Sequence, residues 1–310
     1  MIDRIRLIFD KNINKDKKSR VWEWAISYVK DIEINQDTLE NMLWNKLTYG
    51  YALTLSKNTI RNLAIAVGAI RIENPRYTEI NQSFNNLNYP ELKDESIFNE
   101  QALKMIEKAI GFKISLPSFI GNWTTCPTSY GMISDRHCYY LWILKRIIEL
   151  CPDKNSSIIE IGAGMGILGY YLDKVGYKDY TTIDLAHANA IQTYFLYKNL
   201  PERDIILSGD KNNPFDLKYK NSLKLLHASD FKNIPQHRFD IMINNDGLTE
   251  MLIEDAEKYV NSDCTPMLLS INHEINEFRV IDIFKPTKIL KYRYPFWLRE
   301  GYVEELYVEN

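Results

Sequence analysis

From Ser156 onward the chain carries a periodicity that suits a parallel sheet with helices on both faces. The short apolar runs SIIEIG, YTTIDL, LKLLHAS, FDIMINN and PMLLSIN each end in polar or small residues. Helical stretches lie between the first and second, the second and third, and the fourth and fifth. Strands that are apolar throughout, rather than at alternate positions, are buried on both faces, and helical crossovers between them predict a parallel order. After the fifth run the character changes, and TKILKYRYPFWL and GYVEELYVEN predict a closing strand pair.

The first part of the chain has a different texture. From about Ser19 to Phe112, apolar residues recur at helical spacing in VWEWAISYVKD, DTLENMLWNKL and NTIRNLAIAVGAI. Asp37 and Asn58 are the expected N-caps of the second and third stretches, and Trp22, Trp24 and Trp44 fall at core spacing. The Asn- and Pro-rich segment NPRYTEINQSFNNLNYPELKD reads as a loop. ISLPSFIGNWTTCPTSYGMIS is irregular and joins the two parts, and Trp123 within it is a candidate to stack on a substrate ring. A long helix is expected from Asp135, capped by Ser134 and ending before Pro152. The division is therefore a helical region over 1–115, a connector over 116–134 and an α/β region over 135–310.

Composition excludes some functions. A net charge of −3 offers no footprint for wrapping nucleic acid. The basic run KNINKDKKSR reads as a solvated tail. No apolar run approaches the roughly 20 residues that span a bilayer, so membrane insertion is not expected. MIDRIRLIFDKN carries charges inside its apolar pattern, unlike a signal peptide. Cys126, Cys138, Cys151 and Cys264 lack metal-type spacing and imply thiols in a reducing, cytoplasmic setting. Assembly into a homo-oligomer stays open.

The glycines narrow the ligand. SSIIEIGAGMGILGYYL places Gly162, Gly164 and Gly166 at alternate positions, with Ala163 between the first two and Glu160 at the end of the strand. The dinucleotide fingerprint G-x-G-x-x-G fails here, because Ile167 stands where its third glycine belongs. A pyrophosphate seeks backbone N–H groups and no nearby carboxylate. S-adenosylmethionine has no phosphate, and its sulfonium and ammonium suit a carboxylate at Glu160. Asp184, followed by Leu185, ends the second run about 20 residues on, where an acid can accept ribose hydroxyls. Asp230, with Ser229 and Phe231 beside it, is either an adenine contact or the cap of a following turn.

Residues from about 135 to 310 resemble the class I S-adenosylmethionine-dependent methyltransferases. More narrowly, they are similar to the sugar O-methyltransferases found with surface-polysaccharide genes in bacteria. The resemblance is carried by IIEIGAGMGILGYYL, TTIDLAHANAIQTYFL, FDIMINNDGLTEM, LLSIN and YPFWLREGYVEELYV. It implies a Rossmann-like α/β sheet of parallel strands with an antiparallel last strand, preceded here by a helical N-terminal domain. It implies methyl transfer to a hydroxyl of a sugar or glycan precursor. Gly247 stands where the resemblance leads one to expect a serine.

In an open parallel sheet, ligands bind beyond the carboxyl ends of the strands. The fourth run ends in INNDGLTEM, which brings Asn244, Asn245, Asp246 and Glu250 to that edge. Asp246 and Glu250 are one helical turn apart and are the candidate bases, with His273 after the fifth run as the third. Asn244 is also placed near the cofactor, while Asn245 and Asn272 are candidates to orient substrate hydroxyls. No residue spacing demands a metal. The competing readings are methylation of another metabolite, a lipid or RNA, and a non-catalytic adenosine-binding scaffold.

Overall fold

All five apolar runs form strands in the computed structural model, which describes residues 1–16, 23–42, 57–69, 95–119, 126–285 and 287–310. In chain order the strands begin with a small hairpin of β1 (Cys126–Thr128) and β2 (Gly131–Ile133). The runs follow as β3 (Ser157–Ile161), β4 (Asp179–Asp184), β6 (Leu223–His227), β7 (Ile241–Asn245) and β8 (Met267–His273), with a short β5 (Ile205–Leu207) before β6. The tail supplies β9 (Lys288–Pro295) and β10 (Tyr302–Glu309). The sheet order is β5-β6-β4-β3-β7-β8-β10-β9. Only β10 opposes the other strands, pairing antiparallel with β8 and β9. An α/β sheet with an antiparallel last strand is what the sequence implied; β5 and the hairpin are additions too short to leave a pattern.

The helices are α1 (Ile2–Asn12), α2 (Glu23–Val29), α3 (Lys57–Ala66), α4 (Glu95–Ile110), α5 (Asp135–Leu150), α6 (Ile167–Lys174), α7 (Ala186–Asn199), α8 (Ile253–Val260) and α9 (Val280–Ile283). Every residue of β3 is buried. Because successive side chains point to opposite faces, Ile158 joins a layer with Leu141, Leu144 and Ile147 of α5. Ile159 and Ile161 join the other layer, with Ala256 and Val260 of α8. Each such isoleucine is worth about 1.5–3 kcal/mol of transfer free energy, so a register slip in β3 is strongly disfavoured. Gly169 of α6 faces Tyr180 of β4 so closely that a Cβ would lie 2.5 Å from the ring. That contact seats the helix on the strand.

Helix α5 starts and stops where expected, with Ser134 as its cap and the Ser134 amide donating to His137 Nδ1 at 3.0 Å. Two other expected caps are corrected. Asn58 lies inside α3, which already begins at Lys57. At the second stretch Asn35, not Asp37, does the capping. The Thr38 amide donates to Asn35 Oδ1 at 3.0 Å, and the Asn35 amide donates to Thr38 Oγ1 at 2.8 Å. Trp22, Trp44, Trp123 and the segment 74–94 lie outside the described residues.

The basic run is not simply a tail. Asn12 and Ile13 are buried, and α1 packs along α7 through Ile5 and Phe9. Strand order reverses at β3, whose neighbours are β4 on one side and β7 on the other. The crevice beyond the carboxyl ends of these three strands is the position the sheet topology offers a ligand.

Candidate functional site

A cavity of about 620 Å³ occupies this crevice. Gly162 forms part of its wall where the chain leaves β3. Gly162, Gly164 and Gly166 have φ of 69°, 57° and 79°, the left-handed region that glycine enters without steric cost. The alternate glycines are therefore required by the turn itself as well as by whatever passes over it. Ala163, Gly164 and Gly166 stand behind Gly162 and do not line the cavity.

Asp184 ends β4 and faces the cavity. Its Oδ2 accepts the Gly164 amide at 3.0 Å and Gln192 Nε2 at 2.7 Å, and its Oδ1 accepts the Leu185 amide at 2.8 Å. The glycine turn and the acid that were read as separate signals are one hydrogen-bonded unit. Burial pushes the Asp184 carboxyl up to about 6, against the Leu185 amide, nearby His187 and the Gly164 amide, which favour the charged form.

Leu185 and Ala188 form one side of the cavity, and Ala228, Ser229 and Phe231 form another. The Phe231 ring meets Tyr259 of α8 edge-on, with centroids 4.6 Å apart. A flat apolar ring has surfaces to lie against here. Asp230 is turned away from the cavity. It accepts from Ser208 Oγ at 2.5 Å and from the His227 amide at 3.3 Å, so the cap of the turn after β6 is His227, and Asp230, in the first turn, reaches back to it.

One wall comes from a residue the sequence did not single out. Lys15 and Asp16, in the run read as a tail, line the cavity beside His187 and His227. Asp16 Oδ1 is 2.7 Å from His227 Nε2, and the carboxylate accepts the Ala186 amide at 3.1 and 3.2 Å. No spacing in a basic run could have signalled this.

At the end of β7 the two candidate bases separate. Both Asp246 and Glu250 line the cavity. Asp246, at φ 65°, accepts from Tyr302 at 2.5 Å and from Arg299, with Arg136 3.7 Å away. Its side chain is 8% exposed; one guanidinium and a phenol donate to it, and the Arg136 guanidinium stands at ion-pair distance. Arg136, Arg299 and Tyr302 were not anticipated, because they sit on α5 and on the far side of the β9–β10 turn. His273 does not line the cavity; its Nδ1 accepts the Ile275 amide at 3.0 Å, and its ring sits edge-on to Tyr302.

The asparagines hold strand ends. Asn244 donates to the Ile161 carbonyl at 2.7 Å and accepts from the Leu248 amide and from Asn272 Nδ2. Asn272 also donates to Ser270 Oγ at 2.8 Å. Gly247 packs against the same group: a Cβ there would lie 2.8 Å from Asn244 Nδ2, which is why a serine is not accommodated in this conformation. Asn245 is buried on the other face of β7. These three side chains lie outside the cavity wall.

Glu160 is also placed elsewhere than the ligand chemistry suggested. It points from β3 into the layer beneath α5, fully buried, and accepts from the Tyr180 hydroxyl. Burial raises its carboxyl to about 8, with the Asp184 charge adding to the rise and Tyr180 opposing it, so near neutrality it is largely protonated. Strand alternation decides this: Glu160 lies one residue before the strand end, and its neighbours Ile159 and Ile161 take the other face.

Among the described residues no group of three or more His, Cys, Asp or Glu side chains is arranged to hold a metal ion, and no helix is long and apolar enough to cross a membrane. No family model matches the chain, and no curated protein is similar to it. Solved structures match over part of the chain. One is magnesium protoporphyrin IX methyltransferase from Synechocystis PCC 6803 with bound SAM, 13% identical, covering 57% of this chain and 81% of that one at a TM-score of 0.39. Another is the PH0226 protein from Pyrococcus horikoshii OT3, 8% identical, covering 57% of this chain and 92% of that one at a TM-score of 0.42. At such identities and scores nothing about function passes from them to this chain.

Proposed function

We propose that the cavity binds S-adenosylmethionine and that the protein transfers its methyl group to a hydroxyl of a sugar or glycan precursor. The observation that carries the reading is the Gly164–Asp184 unit at the point of strand reversal. It sets a carboxylate beside bare backbone, on the wall of a cavity whose volume is usual for small-molecule sites. The charge on the walls supports the same choice. Besides Asp246, paired with Arg299, and the Asp255–Lys258 pair, Asp16, Asp184 and Glu250 line the cavity against the exposed Lys15 and Lys232. That balance suits a cationic ligand better than a pyrophosphate.

Gly162 would lie under the ligand, Asp184 would accept ribose hydroxyls, and Leu185 and Phe231 would flank the base. When bound, S-adenosylmethionine supplies an electrophilic methyl group on a positively charged sulfur. Glu250, which lines the cavity at the β7 end, would take the acceptor's hydroxyl proton. The Asp246 cluster would fix the shape of that end, so that acceptor oxygen and methyl carbon meet at near-attack distance. The sugar class is supported by the resemblance of INNDGLTEM and the tail.

The test has two parts. Calorimetric titration with S-adenosylhomocysteine should show one site per chain, and no binding at high protein concentration would end the reading. Labelled S-adenosylmethionine, incubated with sugar nucleotides, lipids and RNA, should then mark the sugar fraction; label in RNA or lipid alone would overturn the acceptor class. Glu250→Gln should lower turnover by about 10²–10⁴ with S-adenosylhomocysteine affinity little changed.

A further inference from the structure

Two segments form the facing walls at the Asp184 end of the cavity. One runs from Asp184 through Leu185 into the start of α7; the other runs from the end of β6 through Ala228 and Ser229 to Phe231. Neither is hydrogen-bonded to the other through the sheet beyond the Asp184–His227 pair that closes the β4–β6 ladder. Asn189 of α7 ties them once, its Nδ2 donating to the Leu226 carbonyl at 2.9 Å, and Asp16 supplies a second tie. The Asp16 side chain has no exposed surface. It accepts the Ala186 amide at the start of α7, sits 4.0 Å from His187 Nδ1, and is 2.7 Å from Nε2 of His227. His227 Nδ1 in turn accepts the Ser229 amide at 3.1 Å, which assigns the ring proton to Nε2, donating to Asp16. A continuous hydrogen-bonded path therefore runs from the N-terminal segment to a residue of the cavity wall.

The segment is itself docked. Ile5 and Phe9 are buried, and Arg4 pairs with Asp210 and donates to the Ile205 carbonyl at 2.5 Å. A carboxylate at the start of the 14-residue α7 also gains from the helix dipole. Burial alone would raise the Asp16 carboxyl, but the hydrogen bonds of His187 and His227 outweigh it and hold it below its usual range.

We infer that Asp16 is a positioning residue for the nucleoside end of the cavity, clamping its two walls at a fixed separation and so coupling the docking of residues 2–16 to ligand binding. The inference rests on the S-adenosyl reading of the cavity. Coupling of this kind is reciprocal: a ligand that favours the clamped walls stabilises the docked segment by the same free energy.

The test combines calorimetric titration of S-adenosylhomocysteine with hydrogen exchange over residues 2–16, in the full chain and in Asp16→Ala, Asp16→Asn and His227→Gln. Loss of a charge-assisted hydrogen bond predicts at least about tenfold weaker binding in Asp16→Ala, with smaller losses in the other two. In the unaltered chain the ligand should slow exchange within residues 2–16, and in Asp16→Ala it should not. A merely structural role would lower the melting temperature of the free protein while leaving both readouts intact, and that result would overturn the inference. Should Asp16→Ala fail to melt cooperatively, Asp16→Asn and His227→Gln carry the same two readouts. Binding by the unaltered chain with all three variants within twofold of it overturns this inference alone. Failure of the unaltered chain to bind overturns the cofactor reading, and this inference with it.

Discussion

Two carboxylates end adjacent limbs of the same crevice and are held in opposite ways. Asp184, at the end of β4, is gripped by neutral donors: the amides of Gly164 and Leu185 and the side chain of Gln192. Asp246, at the end of β7, is gripped by the cations Arg299 and Arg136 and by the Tyr302 hydroxyl. Neutral donors orient a carboxylate without cancelling its charge, so Asp184 retains a field for a ligand. Paired guanidinium groups cancel the charge, so Asp246 serves to join β7, α5 and the β9–β10 turn. The same residue type at the same kind of strand end thus keeps its charge at the cavity wall in one place and ties elements together in the other.

The largest expected effect tests the architectural half. Asp246→Ala removes the carboxylate that faces Arg136 and accepts from Arg299 and Tyr302, and breaking a buried pair from one side typically costs about 3–5 kcal/mol. Denaturant unfolding should show a loss of that order; a loss below about 1 kcal/mol would mean the cluster holds little together. Next, Asp184→Ala should weaken S-adenosylhomocysteine binding by about 10- to 100-fold, the worth of a hydrogen bond to a charged group. Equal effects of the two substitutions on affinity would erase the contrast.

A smaller effect is the pH dependence of binding. With the Asp184 carboxyl raised to about 6, a ligand whose hydroxyls donate to the charged form should bind more tightly as pH climbs. The gain should approach about tenfold between pH 5 and pH 7 and then level off. Calorimetry on Asp184→Asn should give a flat profile over this range.

A pH effect on stability concerns Glu160. Its folded carboxyl lies near 8 against an ordinary 4.5, so between those values the folded chain holds a proton that the unfolded chain has released. Stability from this group therefore falls as pH rises from about 4.5 to 8. Glu160→Gln should remove that slope, giving the variant its best relative stability near pH 8. His137, whose burial drives it down to about 3, acts in the opposite sense between 3 and 6.5 and remains in both proteins.

Much of this was legible in the linear chain, and the limits follow a pattern. The five strands, the helix from Asp135 to Leu150 and the antiparallel close were readable because each rests on side-chain periodicity or a terminating residue within a few positions. The glycine turn and Asp184 were readable because a left-handed backbone and a strand-end acid leave local marks. Glu160 sat in the right motif and still pointed elsewhere, because only the pairing of β3 with both neighbours settles which face a residue takes. The misplaced caps at Asp37 and Asn58 are errors of one or two residues, the range in which helix ends compete.

Sequence alone determined the layered α/β architecture and the place along it where a ligand could lie against bare backbone. Tertiary structure decided which carboxylates line the cavity and which are tied up. Asp246 meets Arg299 across 53 positions, and Asp16 meets His227 across 211. Contacts at such separations are set by how layers pack and which loops they bring together, and no local preference of the backbone encodes them.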